Sequence, residues 1–161
     1  MNLGISPVGI LFLAALFVPN IIWARDLPEG YEELSRGESR VLLILERVGQ
    51  VLTTVAAIIF VPTDEFGWPS LAWLLVALVL MILYEIAWAR YFRHGRSLGY
   101  MYAPLGPIPV PIATLPVIAF ILLGIWCGSP VLVLSAAILG VGHIGIHARH
   151  YRELRDRGLL T

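Results

Sequence analysis

Residues 69–90 read PSLAWLLVALVLMILYEIAWAR. Glu85 is the single charged side chain before the terminal Arg90. A helix crossing a bilayer needs about 20 mostly apolar residues. An open strand cannot cross lipid, because its backbone N–H and C=O groups would go unpaired. The stretch therefore predicts a transmembrane helix.

Working outward, four further stretches qualify: residues 3–23, 40–61, 108–126 and 130–150. The last two are separated only by Cys127, Gly128 and Ser129, which predicts a tight helical hairpin. The expected fold is an all-α integral membrane bundle of five transmembrane helices, one domain over residues 1–161. Composition agrees. The chain is 58% hydrophobic and 14% charged, where a soluble domain carries roughly 25% charged residues. The formal net charge is zero, so no basic surface argues for nucleic acid. Cys127 is the one cysteine, which excludes an intrachain disulfide; it reads as an apolar filler near a helix end.

The arginines set the expected topology. No basic residue precedes Arg25, so the first span lacks the basic leader of a signal peptide and reads as a retained helix. Arg25, Arg36 and Arg40 fall between spans one and two. Arg90, Arg93 and Arg96 follow span three, and Arg149, Arg152, Arg155 and Arg157 close the chain. The turn after span two carries Asp64 and Glu65 but no arginine, and the 127–129 turn has none. With five spans, every arginine-bearing segment lies on one side. The positive-inside rule makes that side cytoplasmic, giving N-out/C-in. All 11 basic residues are arginine. That reads as a GC-rich genome, hence a bacterial cytoplasmic (inner) membrane and a multi-pass protein. Tyr31, Glu32, Glu33 and Leu34 predict a short interfacial helix in the first cytoplasmic loop. Residues 95–111, rich in proline, predict an extended segment.

The informative feature is where polar residues enter the spans. Glu46, Arg47 and Gln50 lie in span two, and Tyr84, Glu85 and Trp88 in span three. Asn20 and Trp23 end span one; His143, His147, His150 and Tyr151 end span five. All fall in the cytoplasmic half, with Glu46 and Glu85 roughly 6–9 Å deep at 1.5 Å per residue. Glu46 and Gln50 share one helix face at i,i+4, as do His143 and His147. An ionisable group in a span costs a few kcal/mol near the centre and usually faces the bundle interior. Glu46, Arg47 and Glu85 could form a structural ion-pair network instead. Arg90 and Arg93 are expected to snorkel to headgroups, and His150 to sit at the interface. Two histidines at i,i+4 plus a glutamate could ligate zinc. Without a His-Glu-x-x-His pattern, no metal and no cofactor are expected.

A pocket in the inner leaflet suits a membrane lipid or a prenylated amphiphilic small molecule. Glu46 and Glu85 are the candidate catalytic acids. Asn20, Trp23, Arg47, Gln50, Tyr84, Trp88, His143 and His147 are the candidate substrate-binding residues. A carboxylic acid held neutral by burial can protonate an alkene, and aromatic faces stabilise the cation that results. If Arg47 pairs with Glu46, Glu85 is the better acid.

The stretches LERVGQ (45–50), YEIAWARYF (84–92), PIPVP (107–111) and GHIGIHARHY (142–151) resemble a family of small bacterial five-helix membrane proteins, mostly of unknown function. The resemblance covers residues 20–151. The overall look is also similar to the small bacterial membrane-bound terpene cyclases, which cyclise a prenyl chain already attached to an acceptor by protonating it. That resemblance implies a metal-independent terpene cyclase or isomerase acting on a farnesyl-type chain. No Asp-rich diphosphate motif is present, which argues against an ionisation-initiated synthase. Two other classes stay open: a small proton-coupled transporter, and a non-enzymatic lipid-binding accessory protein.

Overall fold

The computed structural model describes residues 2–62 and 68–160. In chain order the elements are β1 (Asn2–Leu3), α1 (Pro7–Ala24), α2 (Tyr31–Ser35), α3 (Arg40–Ile59), β2 (Phe60–Val61), α4 (Trp68–Arg93), α5 (Leu98–Tyr102), α6 (Pro111–Trp126) and α7 (Pro130–Asp156). The protein is an all-α bundle. Its strands are two residues each and pair antiparallel, Asn2 with Val61 and Leu3 with Phe60. They tie the start of α1 to the end of α3. The turn with Asp64 and Glu65 lies outside the described residues.

Four helices are long and apolar enough to cross a membrane: Pro7–Ala24, Arg40–Ile59, Leu71–Arg93 and Pro130–Asp156. Large apolar side chains cover their outer faces, with Val41, Ile44, Val51, Ile82 and Leu134 all exposed. A soluble monomer rarely shows apolar patches on this scale. The arrangement is that of a multi-span membrane protein.

The helix expected from residue 108 starts instead at Pro111. Proline lacks an N–H and suits the first helical position, and the preceding segment turns through Gly106 at φ 58°. α6 therefore has 16 residues, roughly 24 Å at 1.5 Å per residue, against a core of about 30 Å. It is also the most enclosed helix, packed against α4 and α7 with Ala113, Ala119 and Phe120 fully buried. α7 runs past the expected end at 150, because Leu154 is buried and Glu153 accepts a hydrogen bond from Arg157. The predicted interfacial helix is α2. The 95–111 segment, expected to be extended, is not: Leu98–Tyr102 forms α5, capped by the Ser97 side chain, and Leu105 pairs with Ile108 across a turn at Gly106 and Pro107.

Two packings position the polar residues. α3 lies against α7, and α4 against α6. The α3–α7 seam is close enough that a Cβ at Gly142 would collide with the backbone nitrogen of Glu46. A Cβ at Gly49 would strike the backbone of Leu139. Small residues let helix backbones approach in this way. The close approach at Gly142 brings Glu46 to the histidine face of α7.

Candidate functional site

The predicted site residues fall into two neighbouring groups. The first sits between α3 and α7. Glu46 Oε1 lies 2.5 Å from His143 Nδ1. The His143 and His147 rings follow one turn apart, with centroids at 4.5 Å. His147 Nδ1 meets the Tyr102 hydroxyl at 3.0 Å, and the same hydroxyl meets His150 Nδ1 at 2.8 Å. His150 Nε2 then stands 3.3 Å from Glu38 Oε1. That last contact is within ion-pair reach but is not aligned as a hydrogen bond. Polar groups thus run without a break from Glu46 to Glu38.

Tyr102 reaches this group because its loop is stapled. Arg90 donates to the carbonyls of Ala103 and Pro104, the latter at 2.8 Å. Arg90 was expected to snorkel; its guanidinium binds these loop carbonyls instead. Burial pushes the Tyr102 phenol well above its ordinary range, with Tyr31, Glu38 and Glu46 adding to the effect. Burial also raises Tyr31 and Glu38; Glu38 adds to the shift on Tyr31, and Glu46 to both. Tyr102 therefore keeps its proton. Beside Glu38 and His150 is a cavity of about 50 Å³, lined also by Leu34 and Ile146. It has room for a few water molecules.

The second group sits between α1 and α4. The Asn20 amide donates to Tyr84 Oη and to the Leu16 carbonyl, both at 2.7 Å. Trp88 is buried among aromatic rings: Tyr84 at 6.3 Å, Tyr91 at 5.5 Å, Phe92 at 5.4 Å and Trp23 at 6.5 Å between centroids. Glu85 flanks this face. Its Oε1 is buried and accepts no hydrogen bond, and Trp23 Nε1 and Tyr91 Oη are likewise buried without a partner. The two groups touch through Tyr31, whose ring lies 4.9 Å from Trp23 and 6.2 Å from His150.

Several expectations change. Glu46 and Glu85 share no hydrogen bond or ion pair among the described residues. The alternative Glu46–Arg47–Glu85 network is not formed: Arg47 is exposed, and Glu46 turns to His143. Gln50 is half-buried one turn beyond Glu46. His150, expected at the interface, is buried at the centre of the chain of contacts. Tyr102, Glu38 and Tyr31 were missed. Glu38 lies in a loop and Tyr102 at the end of the five-residue α5, stretches too short to carry a periodic signal.

One donor atom each from Glu46, His143 and His147 lie within 4.8 Å of one another. The α3–α7 group is thus a set of paired, converging donors. The α1–α4 group is an aromatic wall beside an unpaired carboxyl. No protein-family model matches the chain, and no curated protein or solved structure matches it either.

Proposed function

We propose that this chain is a five-span, N-out/C-in protein of a bacterial cytoplasmic membrane that isomerises or cyclises a prenylated amphiphile by protonation, with Glu85 as the acid. One observation carries the reading: Glu85 Oε1 is buried with no hydrogen-bond partner, on α4 between Tyr84 and Trp88 of the aromatic cluster. Glu46 is the weaker candidate because His143 already engages it. A neutral carboxylic acid brings its own donor, which suits an oxygen that no neighbouring donor reaches. Its proton adds to one carbon of an alkene, the π electrons form the new C–H bond, and the adjacent carbon becomes cationic. The rings of Trp23, Tyr84 and Trp88 supply electron-rich faces for that cation. Loss of a proton from a neighbouring carbon to the Glu85 carboxylate restores the acid, and the product has the mass of the substrate.

The test is to incubate the purified protein with a farnesylated acceptor and search for an isomer of equal mass. Isomer is expected from the native protein, with its yield falling by about 10²–10⁴ in Glu85→Gln. No isomer from the native protein would overturn the reading.

A further inference from the structure

We infer that Glu46, His143 and His147 form a divalent-cation site of zinc type between α3 and α7, apart from the Glu85 chemistry. The donor set is two imidazoles and a carboxylate, the combination that zinc takes in sites keeping an open position. His143 and His147 are one turn apart on α7, so both rings leave the same helix face. Their donor atoms and that of Glu46 already lie within 4.8 Å of one another. A tetrahedral ion with bonds of about 2.0–2.2 Å holds its donors roughly 3.4 Å apart. Side-chain rotations of about an ångström close that difference.

The surrounding contacts leave one nitrogen of His147 available. Glu38 Oε1 lies 3.3 Å from His150 Nε2, not aligned as a hydrogen bond but close enough for its charge to favour the His150 proton on Nε2. His150 Nδ1 is then an acceptor, and Tyr102, with one proton to give, donates to it at 2.8 Å. The Tyr102 oxygen must accept from His147 Nδ1 at 3.0 Å. The His147 proton is therefore on Nδ1 and its Nε2 carries the lone pair. Metal-bound histidines are held in this way, with the second ring nitrogen donating to an outer partner that fixes tautomer and orientation. The polarity of the whole chain, read from Glu38 inward, prepares His147 as a ligand. When the ion enters, it replaces the proton shared by Glu46 and His143, and that proton leaves to solvent.

The seam supports the same reading. Gly142, the residue before His143, lies on the Glu46 backbone. The ligands therefore come from two helices whose spacing cannot relax.

The experiment is zinc titration of the full chain, purified in detergent with any affinity tag removed, read by calorimetry and by metal analysis after desalting. Stoichiometric zinc is expected, together with a rise in melting temperature reversed by chelator. His147→Ala should abolish both. Tyr102→Phe, which keeps all three ligands, should weaken zinc by about 10–100-fold. Tyr102→Phe also guards against a misfolded ligand variant, since its fold is checked by melting without metal. Absence of stoichiometric zinc in the native protein would overturn the inference, as would binding left intact in His147→Ala. Neither result touches the Glu85 reading, whose product assay uses a different residue.

Discussion

The α3–α7 seam and the α1–α4 face treat buried polar groups in opposite ways. In the seam, Glu46, His143, His147, Tyr102 and His150 each have a partner, through contacts of 2.5, 3.0 and 2.8 Å. On the α1–α4 face, Glu85 Oε1, Trp23 Nε1 and Tyr91 Oη are buried with none. A buried polar atom without a partner costs about 1–3 kcal/mol. The seam keeps one such atom of its own, His150 Nε2. On the reading proposed above, the unpaired atoms of the α1–α4 face are where a ligand brings the missing partners, and the paired ones of the seam are a preset arrangement of donors. The two halves invite different chemistry, although Tyr31 joins them.

The largest expected loss of stability comes from breaking the aromatic face. Trp88→Ala removes a ring that is 1% exposed and packed among four others. Such a truncation costs about 3–5 kcal/mol in a soluble core, and lipid replaces only the part due to water exclusion. Unfolding in mixed micelles should show a destabilisation toward the lower end of that range. A loss below about 1 kcal/mol would mean the cluster is not packed as described.

Gly142→Val attacks the other side. Its side chain meets the backbone of Glu46 and Leu42, and overpacking of this kind costs about 1–3 kcal/mol. The helices must part, so zinc uptake should fall together with the melting temperature. Unchanged melting and zinc uptake would show that the seam is looser than its glycines imply.

The smallest effect sharpens the boundary between the halves. Arg47 is exposed and holds neither glutamate in an ion pair. Arg47→Ala should change stability by no more than about 0.5 kcal/mol. A loss of several times that would restore the alternative three-residue network.

Much of the fold was legible in the chain, and the reasons are local. Residues 69–90 are apolar nearly all round apart from Glu85, and a chain of 161 residues has no soluble core large enough to enclose such a helix. The α7 histidines and Glu46 stood out as polar residues inside apolar runs. Their pairing was not legible, because it depends on which helix meets which. Ser135, Ala136, Gly140 and Gly142 are buried along α7, and this run of small residues was the available signal for a tight seam. Glu38 and Tyr102 had no such signal. Glu38 lies in a loop and Tyr102 ends a five-residue helix, both too short for periodicity, and Tyr102 reaches His147 only because α5 folds under the Arg90 staple. The early start expected for α6 failed for a plain reason. Apolar composition continues through residues 108–110, but Pro109 and Pro111 disfavour helical backbone at Ile108 and Val110, the residues before them, and Val110 sits at φ 48°.

The central claim is that the unpaired carboxyl, and not the paired one, performs the chemistry. It is tested most directly by Glu85→Gln, assayed in one preparation for equal-mass isomer formation and for bound zinc. The account predicts that isomer formation falls by about 10²–10⁴ while zinc stoichiometry and melting match the native protein. Isomer formation at the native rate in Glu85→Gln would contradict it.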